Sequence, residues 1–479
     1  MFKIAFIGAG SITFTRGLVS DLLTVPEFRN VEISFTDINE QNLSMVTQLC
    51  QRDIEANGLP VKIHSTLDRR EALANAKYVV NCARIGCLEA FETDVDIPLK
   101  YGVDQCVGDT LCAGGIMYGQ RGIAAVLEFC KDIREVSRPG CILLNYANPN
   151  AMITWACNQY GGVPTIGLCH GVMGGHKMIA DAFGLKQEEV DIICAGINHQ
   201  TWYISIRHNG EDLTGKLLEA FLKQPDVCKQ EKVRIDILKR FGYFSTESNG
   251  HLSEYLAWYR KSDLSQWIDL SNWHHGETGG YLRICKENRN WFVHDFPNWM
   301  QQEPRKYLPE KRGIEHGSYI IEGLETGRVY RGHFNVVNNG TITNLPDDCI
   351  VEVPGYVDGN GVSIPRVGDL PAGCAAVCQQ SVSVQRLAVE AAVKGDIVLL
   401  RQAMMLDPLV GAVCTLAEID RMTDEMLVAG EKWLPQYKDE IRVARQRLKQ
   451  PPAFEQKPYT GAVRLHTKTV DEMEAEKRI

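Results

Sequence analysis

Residues 1–14 read MFKIAFIGAGSITF, and the first nine form an apolar run that stops at glycine. A short run with no polar alternation predicts a strand buried on both faces, as in a parallel sheet. Residues 11–25, SITFTRGLVSDLLTV, follow with helical spacing, so that Phe14, Leu18, Leu22 and Leu23 can share one face. A strand that turns through Gly8 and Gly10 into a helix offers free amides and the helix dipole to a pyrophosphate. Thr13 stands where the usual fingerprint has its third glycine, and two glycines alone also serve many structural turns. Asp37 tips the balance. It ends a second strand, VEISFTDI (31–38), where a carboxylate would accept from a ribose diol and disfavour the extra phosphate of NADP. NAD is the expected cofactor.

Outward from this unit the pattern repeats. Residues 41–58 read as a helix closed by Gly58, and further strands are expected at 76–83 (AKYVVNCA), 140–149 (GCILLNYANP) and 162–170 (GVPTIGLCH). Strands alternating with helices predict an α/β, Rossmann-type, doubly wound parallel sheet over residues 1–200. Beyond it the alternation fades. TWYISIRHNGED reads as a strand and turn, 215–320 as mostly helical, and 332–362 as antiparallel strands with Asn-Gly and Gly-Asn-Gly turns. Helical spacing returns from Ser381. Residues 201–448 are therefore expected to form an α+β substrate and oligomerisation domain, and the polar, proline-broken 449–479 a loosely held tail.

The bulk composition narrows the partners. The 479 residues are 44% hydrophobic and 23% charged, with 51 basic against 60 acidic side chains and a formal net charge of −9. No basic run offsets that charge, which argues against nucleic acid. No run of about 18 apolar residues suggests a membrane span. The 16 cysteines are scattered without a CxxC pair, and the chain opens on its apolar strand with no basic leader. A cytoplasmic protein with reduced, mostly buried cysteines is expected.

Five segments carry candidate chemistry. Asn148 in NYANPN (145–150) follows a strand end, where ligands of doubly wound sheets sit, although Asn-Pro is equally a turn. Asp109 in GDTLCAGGI (108–116) suits a substrate contact or a helix N-cap. Cys169 in GLCHG and His199 in AGINHQTW offer one thiolate and one imidazole. That is too few for a closed structural metal site but enough for an open one, with packing as the plainer reading. A Cys169–His170 nucleophile dyad is disfavoured, since neighbours on a strand point to opposite faces. GYFSTESNGHLSEYLAWY (242–259) gathers Glu247, His251, Glu254 and Tyr255, either at a site or along a solvated helix face.

Taken in order, FIGAGSITF, DT…GGI, NYANPNAM, GLCHGV, AGINH, GYFSTES with its following His and Glu-Tyr, and NNGTITNLPDDCIVEVPGYVDGNG resemble glycoside hydrolase family 4, especially its melibiase (α-galactosidase) branch. The resemblance covers residues 1–440. It implies NAD⁺ and a divalent metal, usually Mn²⁺, used in an exception to the two-carboxylate glycosidase scheme. Carbon 3 of the sugar is oxidised, a base removes the proton from carbon 2, the aglycone is eliminated, water adds, and the hydride returns. The positions carried over are Cys169 and His199 for the metal, Gly8, Gly10, Ser11 and Asp37 for NAD, and Asn148 for the sugar, with Asp109 kept beside it as a candidate substrate contact. His170 corresponds to the leaving-group acid. For the carbon-2 base the segment offers His251, Tyr255, Glu247 and Asn249, of which His251 is preferred and Tyr255 second. The Cys-Asn-x-Pro of phosphoglycosidases is absent. Melibiases carry Cys-His-Ser, whereas Cys-His-Gly here matches an α-glucosidase branch. The resemblance thus implies an exo-acting hydrolase of terminal unphosphorylated α-galactosides or α-glucosides, working as a homodimer or homotetramer. The alternatives are an α-galacturonidase of the same family and a plain dehydrogenase of the lactate/malate type.

Overall fold

The structure is a computed structural model that describes residues 2–261, 268, 272–454 and 464–476, without the side chains of 289–291. Its strands are β1 (Lys3–Ile7), β2 (Glu32–Thr36), β3 (Ile63–Thr66), β4 (Tyr78–Asn81), β5 (Ile142–Asn145), β6 (Thr165–Gly167), β7 (Asp191–Ile197), β8 (Gln200–His208), β9 (Glu211–Asp212), β10 (Tyr330–Val337), β11 (Ile350–Asp358) and β12 (Gly361–Ser363). They form one sheet in the order β3-β2-β1-β4-β5-β6-β10-β11-β7-β8-β9, with β12 on β11. The first six are parallel and have the Rossmann order 3-2-1-4-5-6. The rest are antiparallel additions.

The opening run behaves as its composition requires. All five residues of β1 are buried, and the period of two sends them to opposite faces. Ile4 and Phe6 join Ile33, Phe35, Tyr78 and Leu144 in one core, while Ala5 and Ile7 join Val79 and Leu143 in the other. Truncating Phe6, which is fully buried, would cost about 3–5 kcal/mol.

Two expectations need correction. β3 has no counterpart among the strands read from the sequence. It is the sheet edge, its four residues are only partly buried or exposed, and so its sequence IHST carries no apolar run. The tail is not loosely held where it is described. Arg464 makes an ion pair with Asp96 at 2.7 Å, Met473 is fully buried, and Glu474 lies 3.0 Å from His294. Parts of two readings, residues 262–267 and 269–271 of the helical stretch and 455–463 and 477–479 of the tail, lie outside the described residues.

Strand pairing crosses residue 200 along the whole β7–β8 hairpin and at two narrower joints. Asn335 of β10 pairs with Gly167 of β6, and Glu352 of β11 pairs with Gly196 of β7. These joints bring the loop after β6 and the turn after β7 to the same place. Among the described residues, no helix is long and apolar enough to cross a membrane.

Candidate active site

Three segments converge beyond the carboxyl ends of the parallel strands. The first is the exit from β6, where Cys169 is buried and His170 precedes the helix Gly171–Phe183. The second is the β7–β8 hairpin. Ile197 pairs with Gln200, so Asn198 and His199 form its turn, and His199 adopts φ +63°. That left-handed conformation is uncommon for a side-chain-bearing residue and is found where a site needs it. The third is the segment before the helix Asn249–Tyr255. Thr246 is hydrogen-bonded to Thr201 of β8, which places Glu247 over the cluster, and Ser248 caps the helix.

One donor atom each from Cys169, His199 and Glu247 lies within 4.8 Å of the other two, and the same holds for Asp109, His199 and His251. His199 belongs to both groups. Oε2 of Glu247 is buried and has no hydrogen-bond partner. A thiol, an imidazole and an unpartnered carboxylate oxygen so close together fit a divalent cation. Burial, with the Glu247 and Glu352 carboxylates adding to it, pushes the Cys169 thiol well above its ordinary range, so a thiolate there requires a compensating cation. Burial also opposes ionisation of Glu247 and of Asp109. Both carboxyls nonetheless lie below the usual carboxylate range, Asp109 chiefly through Arg84 and Glu247 through the imidazoles around the cluster and Arg234.

Asp109 anchors the side of the cluster next to Asn148. Its carboxylate accepts from Asn148 Nδ2 at 3.0 Å and from Thr110 Oγ1 at 2.8 Å, and lies 3.5 Å from Arg84. It does not cap the helix Cys112–Val136, whose N-cap is Leu111. The rings of His199 and His251 meet edge-on at 5.0 Å, and His251 Nδ1 is 2.7 Å from Ser248 Oγ. Burial, then His199, lowers the His251 pKa to about 4, leaving a neutral imidazole at neutral pH. Tyr255 lies beside it at 6.1 Å, and burial raises its phenol well above 10. His170 is half exposed, with Nδ1 3.8 Å from Glu315.

The β1 turn, at the carboxyl end of the first parallel strand, is cramped. Gly8 has φ +78°, and a Cβ there would meet the Ala83 backbone nitrogen at 2.6 Å. Asp37 accepts from the Gly10 amide at 2.8 Å and from the Asn39 amide at 2.8 Å. Ser11 is the N-cap of the helix Ile12–Leu23, and its side chain makes no capping bond. That helix therefore keeps its first amides and the Ser11 hydroxyl for a ligand. Ile38, next to Asp37, is 91% exposed and offers an apolar surface to a base. These features fit a dinucleotide.

Residues 3–185 match the family model described as family 4 glycosyl hydrolase, and residues 194–410 match its C-terminal domain. The chain belongs to family 4 of the glycosyl hydrolases. It is 55% identical to an α-galactosidase of Rhizobium meliloti over 99% of this chain and 98% of that one. Identity to an α-galactosidase of Bacillus subtilis is 33%, over 91% and 100%. A solved family 4 relative, the 6-phospho-β-glucosidase of Thermotoga maritima with manganese, NAD⁺ and glucose-6-phosphate, superposes with a TM-score of 0.74 at 26% identity, over 90% of this chain and 99% of that one.

The site of this family 4 chain also contains residues that the sequence did not single out. Thr110 lies 2.9 Å from Nδ1 of His199. Glu352, whose pKa burial raises to about 8, accepts from Asn198 in the His199 turn at 3.2 Å. An acid inside the apolar run CIVEV was the available signal for it. The helix carrying His251 is buried throughout, which excludes the solvated-face reading. Its Glu254 accepts from the amides of Cys106, Val107 and Gly108 and so fixes the loop that presents Asp109.

Proposed function

We propose that the chain is an exo-acting α-galactosidase that uses NAD⁺ and a divalent cation, with residues 1–200 holding the dinucleotide and 201–448 closing the sugar site. The observation that carries this is the convergence of Cys169, His199 and His251 with Asp109 and Asn148 beyond the parallel strands, in a chain 55% identical to an α-galactosidase. The relatives' α-galactosidase names favour a galactoside over the glucoside that Cys-His-Gly suggests.

When bound, NAD⁺ supplies a reversible hydride acceptor and the cation a Lewis acid. Gly8, Gly10 and Ser11 would receive the pyrophosphate and Asp37 the ribose hydroxyls. Cys169 and His199 would hold the cation. Asn148 and Asp109 orient the sugar hydroxyls. His251 is the base for the carbon-2 proton. In the tautomer where Nδ1–H donates to Ser248 Oγ, the neutral ring carries its lone pair on Nε2, which takes that proton. Tyr255, held protonated by burial, is the second candidate. His170 is the group for the leaving oxygen. All 16 cysteines are free, which suits the reducing cytoplasm.

The test is a panel of nitrophenyl α- and β-glycosides, with NAD⁺, Mn²⁺ and thiol reductant each omitted in turn. The α-galactoside should be cleaved only when NAD⁺ and Mn²⁺ are both present, with no net NADH. Stoichiometric NADH accumulation would instead identify a dehydrogenase.

A further inference from the structure

A divalent cation held by Cys169 and His199 alone would have one soft thiolate and one imidazole, a set that suits zinc better than the harder manganese, which favours oxygen donors. The structure places an oxygen donor beside them. Glu247 shares the 4.8 Å cluster with Cys169 and His199, and its Oε2 is buried without a hydrogen-bond partner. Arg234, the guanidinium whose charge reaches Glu247, makes no hydrogen bond to it; its Nε and Nη1 face other groups and its Nη2 is buried without a partner. It donates to the Ser245 carbonyl at 2.9 Å, pairs with Glu231 at 3.2 Å and stacks over Phe244.

Room for this carboxylate comes from a single residue. A Cβ on Gly171 would lie 1.5 Å from Glu247 Oε2 and 2.6 Å from its Cδ. Gly171 is the first residue of its helix and has no positive φ, so its backbone does not require glycine. What a larger residue would meet is the Glu247 carboxylate, which would have to leave its place.

We propose that Glu247 is the third protein ligand of the cation, and that Gly171 is the specificity-determining residue that admits it. This rests on the reading of Cys169 and His199 as metal ligands. An octahedral ion held by three side chains keeps about three positions for sugar oxygens and water. The residue after Cys169-His170 therefore sets the metal's ligand count, and it acts on the sugar through the metal. A serine at that position, as in Cys-His-Ser, is incompatible with Glu247 as it stands here.

The test is Mn²⁺ titration of the NAD⁺-loaded enzyme without sugar, followed by the electron paramagnetic resonance signal of free Mn²⁺. The samples are wild type, Glu247→Gln, Gly171→Ala and the double variant, with NAD⁺ binding as the check of the fold. Each single variant should raise the Mn²⁺ Kd about tenfold or more. The double variant should stay within about twofold of the weaker single, because both changes remove the same ligand. Mn²⁺ uptake by Glu247→Gln as tight as wild type overturns the proposal, and so do additive losses in the double variant. If Gly171→Ala does not fold, Glu247→Gln decides alone. If wild type itself takes up no Mn²⁺, the Cys169–His199 pairing fails and Glu247 falls with it. If only Glu247→Gln is silent, that pairing stands.

Discussion

The Thr110 hydroxyl bridges Asp109 and His199, 2.8 Å from the carboxylate and 2.9 Å from Nδ1 of the ring. An ionised carboxylate only accepts, so the single hydroxyl hydrogen goes to Asp109 and Nδ1 of His199 must be the donor. Nε2 is then left with the lone pair that a cation requires, and the ring is held in that tautomer. Thr110→Val should weaken Mn²⁺ binding and turnover by about 10–100-fold, and Thr110→Ser should restore both. Valine activity equal to wild type would remove Thr110 from this role.

Cys169→Ser replaces the thiol ligand with a poorer donor of similar size. Metal-dependent turnover should be lost, while NAD⁺ binding, measured by fluorescence titration, stays near wild type because the β1 turn is untouched. Undiminished turnover would take Cys169 out of the site.

Asp37 accepts from the Gly10 amide and is the group expected to accept from the ribose diol. Asp37→Ala removes both, so NAD⁺ affinity should fall by about 1.5–3 kcal/mol, the range for hydrogen bonds to a charged group. Because a negative charge is also lost, NADP⁺ should be affected less. The ratio of the two dissociation constants measures this, and an unchanged ratio contradicts the assignment.

His333 on β10 is buried, and desolvation lowers its pKa to about 3 from an ordinary 6.5. The unfolded chain therefore binds a proton at this residue below about pH 6.5, while the folded chain stays neutral down to about 3. Stability attributable to His333 is complete above pH 6.5 and is lost as pH falls through that window, by up to about 1.4 kcal/mol per pH unit. Denaturant melts of His333→Gln between pH 4 and 7 should show a shallower slope than wild type. Parallel slopes would mean that the histidine is already protonated in the fold.

The Rossmann half was legible because its strands are buried on both faces, so burial wrote itself into the sequence as apolar runs ended by glycine. β3 was not legible for the opposite reason. An edge strand with its side chains near solvent leaves no such mark. The later antiparallel strands could be recognised one by one, but not their place in the sheet. That place rests on single pairings such as Asn335 with Gly167, which no local pattern announces.

The site divides in the same way. Residue chemistry and the order of motifs along the chain singled out Cys169, His199, His251, Asp109 and Asn148 as members of one site, and Asp37 as the carboxylate expected to accept from a ribose. Only the tertiary structure decided which atoms meet. Thr110 orients His199 from 89 residues away, and Glu352 braces the His199 turn across 154. Gly171 is the sharpest case. In the sequence it was a mark of substrate branch. In the fold it is the space that a carboxylate 76 residues later occupies, because the Glu247 side chain reaches to where a methyl group on residue 171 would stand.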